Sequence, residues 1–178
     1  DMLRFLRRAL AGEKVDMECE SFCVRGFRLG VRVDPQPPLL VAALREGMLR
    51  LAGREGDGAI LNWLSAEDVA RVVPCVHAGG PGKQIVARIF VLPTSDRALA
   101  LAIGRRAVAA YLNVPVYAAF HEWLGRGEEL AGMWKAWRAG DRDAALAAIP
   151  EEVVDALIVS GPPEACREHL QRYVANGV

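Results

Sequence analysis

The feature that most constrains the fold is an alternation of short apolar runs with stretches of helical spacing. The runs are "LLVAAL" (39–44), "GAILNWL" (58–64) and "QIVARIFVL" (84–92). A strand with apolar residues at successive positions, rather than at every second one, is buried on both faces. After the first run, Met48, Leu49, Leu51 and Ala52 give a helix from Glu46 to Arg54 one apolar side. After the second, Ser65 stands three residues before Asp68 in "SAED", a capping-box start for a helix carrying Val69, Val72, Val73 and Val76. "GGPGK" ends that helix, and "TSD" (94–96) caps the one after the third run. Strand–helix alternation implies a parallel sheet, either doubly wound or a (β/α) barrel. Three strands cannot close a barrel of eight, which takes about 250 residues. A chain of 178 residues therefore supplies part of a barrel or forms a smaller open sheet.

The flanks fit the same picture. Leu3, Leu6 and Leu10 have helical spacing, and "ECESFCVRGFRLGVRV" alternates with turns expected at Gly26 and Gly30, like a small hairpin. Beyond residue 96 the spacing predicts only helices, near 96–111, 116–125, 128–139, 141–148, 151–157 and 163–175. The first helix lacks a lead-in, and a strand would be expected to follow Asn176-Gly177. The reading is one partial domain over 1–178, cut from a larger fold at both ends.

Composition narrows the function. Basic and acidic residues number 22 each, so no electrostatic footprint for nucleic acid is present. Cys19 and Cys23 could form half a metal site, but no second Cys/His pair completes it, and no metal is expected. Four cysteines in a chain this long do not make a disulfide framework, and a reduced cytoplasmic setting fits. Ala98 to Phe120 is the longest apolar stretch, but Arg105 and Arg106 interrupt it, which argues against a membrane span.

Gly53, Gly56 and Gly58 invite comparison with a phosphate-binding glycine loop. Such a loop follows a strand and opens a helix, whereas "AGREGDG" follows a helix and precedes a strand. These glycines are expected to be structural, with Gly53 or Gly56 ending the helix in a left-handed backbone. The ligand end is the other one, because ligands bind beyond the carboxyl ends of parallel strands. There Ala42 and Ala43 are small, Arg45 is cationic, and Gly47 lies in a helix's first turn, where free N–H groups point outward. That is one reading; the other is that the alanines only pack against a neighbouring helix and Arg45 is solvated. Spacing does not separate the two.

With these residues in view, "LLVAALREGMLRLAGREGDGAILNWLSAEDV" resembles the region after the fifth strand of luciferase-like monooxygenases. Its nearest likeness is to the branch that depends on the deazaflavin coenzyme F420. The likeness continues through "YLNVPVYAAFHEWLGRG" and "AIPEEVVDALIVSGPPEACREHLQRYVANGV", and so spans nearly the whole chain. It implies a partial (β/α)8 (TIM) barrel holding strands five to seven, with strands one to four and strand eight absent. It also implies that Ala42, Ala43, Leu44, Arg45, Gly47 and Met48 contact the phosphate-bearing tail of the cofactor. Many members place Gly-Pro after the equivalent of Leu44; this chain has Arg45-Glu46, so Arg45 would take over the anion contact. Asn62 and Trp63 match a polar–aromatic pair that lines the flavin or substrate pocket, although Trp63 in ordinary core packing is the plain alternative.

The remaining candidates are weaker. His121 could line the pocket or be structural; His77 and His169 are expected to be exposed. Met133, Trp134 and Trp137 should pack, and Asp155, Glu164 and Glu168 should lie on solvated faces. Arg88 within an apolar strand is unusual, since a buried charge is costly unless paired. The implied function is hydride transfer between F420, or FMN as the alternative, and a small organic substrate, with catalytic groups on the absent early strands. A non-catalytic partial barrel serving binding or assembly is the competing reading, and a phosphate-binding barrel enzyme without a redox cofactor is the third. Three parallel strands leave open edges, so either a homo-oligomer or a missing barrel half is expected to cover them.

Overall fold

A computed structural model describes all 178 residues. Helix α1 (Met2–Leu10) leads into an antiparallel hairpin, β1 (Val15–Glu18) and β2 (Cys23–Phe27). The hairpin turns between Glu18 and Cys23 rather than at Gly26, which instead sits in β2 at φ +62° where the register shifts. Its N–H donates to Asp16 Oδ1 at 2.7 Å, a bulge that only a left-handed residue accommodates easily.

The parallel unit follows: β3 (Leu40–Ala42), α2 (Glu46–Glu55), β4 (Gly58–Asn62), α3 (Ala66–His77) and β5 (Gln84–Arg88). β3, β4 and β5 are neighbours in that order, all parallel, as the apolar runs predict. The third run is broken at Ile89, and its second part, β6 (Phe90–Leu92), leaves the β4 ladder for a different partner.

That partner overturns one expectation. Beyond α4 (Arg97–Leu112), α5 (Pro115–Trp123), α6 (Gly127–Arg138), α7 (Arg142–Ala147) and α8 (Glu151–Leu157), residues Ile158–Ser160 form strand β7, parallel to β6. Helix α9 (Pro163–Ala175) then ends the chain. Four parallel strand positions are therefore present, not three, and the last barrel strand is not absent. No turn residue separates Leu157 from Ile158, so helix passes straight into strand and local signals are silent there. The architecture is a partial (β/α)8 barrel.

Two apolar clusters hold it together. Val41, Ala59, Leu61, Ile85 and Ala87 on one face of the sheet meet Leu49 of α2, Val69, Val72 and Val76 of α3, and Tyr173 of α9. The second cluster gathers Val108 and Leu112 of α4, Met133 and Trp134 of α6, and Val153 and Leu157 of α8 around Trp63. Each such aliphatic side chain contributes about 1.5–3 kcal/mol on burial. Met133 and Trp134 pack as expected, Trp134 donating to the Leu112 carbonyl at 2.8 Å. Tyr173 donates to the Leu64 carbonyl at 3.0 Å and Asn176 to that of Ala66 at 2.7 Å, fastening α9 to the end of β4.

Gly53 is structural, but not as a left-handed terminator. It lies inside α2, where an added Cβ would stand 1.9 Å from the Val76 carbonyl oxygen. Its role is the close approach of α2 to α3. Gly56 closes α2 in extended conformation at φ −99°, crowded by the Ala52 and Leu39 carbonyls, so the lack of a side chain rather than handedness selects glycine. No single helix is long and apolar enough to cross a membrane; the stretch around Ala98–Phe120 folds as α4 and α5, bent 104° apart.

Candidate functional site

Residues alternate across a strand, so the register assigns two faces. Val41, Ala59, Leu61, Ile85 and Ala87 turn to the helices. The opposite face carries Ala42, Ile60, Asn62, Val86 and Arg88, with Ile60 38% and Val86 42% exposed. At the carboxyl end of this open face lie two adjoining cavities.

The first, about 300 Å³, is lined by Ala42, Ala43, Leu44, Ile60, Asn62, Arg88 and Tyr117. Asn62 donates from Nδ2 to the Tyr117 hydroxyl at 2.9 Å, while its Oδ1 is buried without a partner. Arg88 stands beside Asn62 in the parallel ladder. Its guanidinium lies 4.4 Å from the Phe90 ring centroid and 5.8 Å from that of Tyr111. It meets no carboxylate; the unusual charge in the strand points out of the apolar layer and is steadied by aromatic faces.

The second cavity, about 580 Å³, is lined by Ala42, Leu44, Arg45, Glu46, Gly47, Met48, Val116 and Trp123. It sits over the amino end of α2. Arg45 is the N-cap residue and no side chain caps the helix, so the N–H groups of the first turn remain free. A Cβ added to Gly47 would meet nothing within 4 Å, so the backbone there is open. The Glu46 carboxylate is drawn back to Arg50 at 2.8 Å.

The structure thus brings Ala42, Ala43, Leu44, Arg45, Gly47, Met48 and Asn62 around two adjoining cavities. The alternatives for the alanines divide: Ala42 is exposed to both cavities, whereas Ala43 is 3% exposed and belongs to the core. Trp63 does not join them. It adopts φ +56° and is 1% exposed, its ring 4.0 Å from Phe90 and 4.9 Å from Tyr111. It forms the floor on which Phe90 and, through it, Arg88 rest. Tyr117, Val116 and Trp123 have no site signal in the sequence; the bend between α4 and α5 carries them to the cavities.

Behind the site lies a buried polar cluster. Ser65 and Asp68 form the predicted capping box, with Ser65 N–H donating to Asp68 Oδ2 at 2.8 Å and Asp68 N–H to Ser65 Oγ at 3.1 Å. Arg126 Nη1 approaches Asp68 Oδ2 at 2.8 Å, with side chains 14% and 10% exposed; its angle is not that of a hydrogen bond, so the contact is coulombic. His121 is fully buried, neither ring nitrogen having a hydrogen-bond partner. Burial, then the Arg126 charge, pushes its pKa down to about 4, against the opposing pull of Asp68 and the nearby Trp63 backbone. His121 lines neither cavity and is structural. His77 is exposed as expected, but His169 is half-buried beside Tyr173, and burial lowers its pKa.

The fold has close counterparts among solved structures. The coenzyme F420 dependent tetrahydromethanopterin reductase from Methanopyrus kandleri superposes with a TM-score of 0.78 at 19% identity, over 99% of this chain and 55% of that one. An F420-dependent secondary alcohol dehydrogenase, in complex with an F420-acetone adduct, gives 0.70 at 15% identity over 99% and 52%. The chain thus spans about half the length of these structures. At such identities the likeness is one of fold. No curated protein sequence matches the chain. The family model of the luciferase-like monooxygenases matches residues 1–178 throughout, and the chain belongs to that family.

Proposed function

We propose that this chain is the carboxyl-terminal half of an oxidoreductase that transfers hydride between coenzyme F420 and a small organic substrate, FMN being the alternative cofactor. The observation that carries the reading is the uncapped amino end of α2, open at Gly47 and flanked by Arg45. A helix amino end contributes about 0.3–1 kcal/mol toward a nearby anion, and a hydrogen bond from a charged donor about 1.5–3 kcal/mol. Those donors suit the phosphate of the cofactor's tail. Asn62, on the wall of the adjoining cavity, keeps a buried Oδ1 acceptor without a partner, which costs about 1–3 kcal/mol until a donor reaches it.

The cofactor, when bound, supplies the hydride chemistry. The chain's own residues do the rest. Arg45 and the N–H groups of residues 46–48 bind and orient the anionic tail. Ala42 lets a ligand approach the strand backbone, and Tyr117 fixes the Asn62 amide at the cavity wall. Trp63, Phe90 and Tyr111 form a dry aromatic base. The uncovered face of β3–β5 is suited to the other half of a barrel, from a longer chain or from a second copy in a homo-oligomer, and groups acting on the substrate's proton would come from there.

The test is titration of the purified protein with F420 and separately with FMN, followed by cofactor fluorescence. Saturable F420 binding that weakens in Arg45→Ala supports the reading. Binding of neither cofactor would favour a non-catalytic module, and a preference for FMN would change the cofactor.

A further inference from the structure

The cation on the open sheet face is not explained by cofactor-tail binding. Arg88 is the one charged residue among those that β3, β4 and β5 turn to this face; the others are Leu40, Ala42, Ile60, Asn62, Gln84 and Val86. No acidic residue lines its cavity. Its guanidinium carbon lies 4.4 Å from the Phe90 ring centroid and 5.8 Å from that of Tyr111, so two aromatic rings hold its position. Its N–H groups form a planar fork that matches a planar or tetrahedral oxyanion. Bidentate pairing of this kind is short, directional and selective for carboxylate or phosphate.

The rest of the cavity is apolar or neutral: Ala42, Ala43, Leu44 and Ile60, with the hydrogen-bonded pair Asn62 and Tyr117. A volume of about 300 Å³ lies at the small end of ligand sites. The combination describes a ligand with a small apolar body and one oxyanion. We propose that Arg88 is a specificity-determining residue that selects a substrate bearing a carboxylate or phosphate group, bound next to the cofactor. This rests on the cofactor reading above for the word substrate, but the anion site stands on Arg88 alone. The cofactor's own anionic tail is the other source of such a group, and the experiment separates the two.

The probes are phenyl phosphate and benzoate, with benzyl alcohol as the uncharged counterpart, measured by calorimetry on the wild-type protein and on Arg88→Gln, Arg88→Lys and Arg45→Ala. The guanidinium Nε–H resonance lost in Arg88→Gln reports occupancy directly, and melting curves establish that each variant is folded. The wild type is expected to bind at least one anionic probe tenfold or more tightly than benzyl alcohol. Arg88→Gln should abolish that preference, Arg88→Lys retain part of it, and Arg45→Ala leave it intact. F420 affinity in Arg88→Gln should stay within threefold of wild type.

Retention of the preference in Arg88→Gln, or its loss in Arg45→Ala, overturns the proposal. So does a tenfold loss of F420 affinity in Arg88→Gln, which would assign the oxyanion to the cofactor. F420 binding without any anion preference defeats this inference and leaves the cofactor reading standing. An anion preference that depends on Arg88 in a protein that binds no F420 supports the site and defeats the cofactor reading.

Discussion

The side-chain amide of Asn62 donates to the Tyr117 hydroxyl at 2.9 Å across 55 residues of sequence, joining the end of β4 to the first turns of α5. The bond takes one of the amide's two N–H donors and leaves its Oδ1 acceptor buried without a partner. Tyr117→Phe should therefore cost about 1 kcal/mol of stability and loosen the Asn62 side chain. F420 affinity should fall about threefold to tenfold, measured by fluorescence titration beside a melting curve. Unchanged affinity with a lowered melting temperature would make the pair purely structural.

Arg45→Ala should weaken F420 binding about tenfold to a hundredfold, which is the loss of a charge-assisted hydrogen bond at 1.4 kcal/mol per decade. Stability should be untouched, since Arg45 is exposed. Gly53→Ala should do the reverse. Its Cβ meets a carbonyl oxygen at 1.9 Å and Gly79 on the facing segment, so α2 and α3 must move apart. Overpacking of this kind costs about 1–3 kcal/mol, with affinity per folded molecule preserved. Thermal melting and titration of both variants check the pair.

His121 predicts a direction for stability against pH. Its folded pKa is depressed to about 4, below the ordinary histidine value of 6.5. Between these values the unfolded chain binds the proton and the native state does not, so unfolding is favoured as pH falls. Stability should decline from about pH 6.5 down to about pH 4, by on the order of 3 kcal/mol from this group. His121→Phe should flatten that slope. Urea unfolding at pH 7, 5.5 and 4.5 measures it, and a wild-type slope no steeper than the variant's would refute the assignment.

Arg126→Ala removes the partner of a buried Asp68 carboxylate. Breaking a buried pair from one side costs about 3–5 kcal/mol. Because the Arg126 charge also holds the His121 pKa down, the histidine should titrate at higher pH in this variant. Chemical denaturation and the His121 proton resonance across pH check both effects.

Much of this architecture is written locally. Each helix beyond residue 96 lies within about two residues of where spacing puts it, because apolar periodicity and caps such as Ser65–Asp68 and Asp96 act within a turn or two of chain. The three parallel runs are equally legible, since continuous apolar strands have few alternatives to burial on both faces. The strand–helix junction at Arg45–Met48 follows from the same alternation, and the structure puts it over a cavity.

Tertiary structure alone decided the remainder. Ile158–Ser160 becomes a strand only because β6 offers it a parallel edge; nothing in "LIVS" after a helix announces it. Gly53 is glycine because another helix's carbonyl arrives within 1.9 Å of its missing Cβ. Trp63, adjacent to Asn62 in sequence, turns at φ +56° into the second cluster and leaves the cavity to Asn62. Tyr117 and Arg88 meet that cavity through the bend between α4 and α5 and through the alternation of β5. In each case the deciding contact joins residues distant in sequence or depends on a neighbouring element's arrival. Such contacts are set by packing, which periodicity along one segment does not encode.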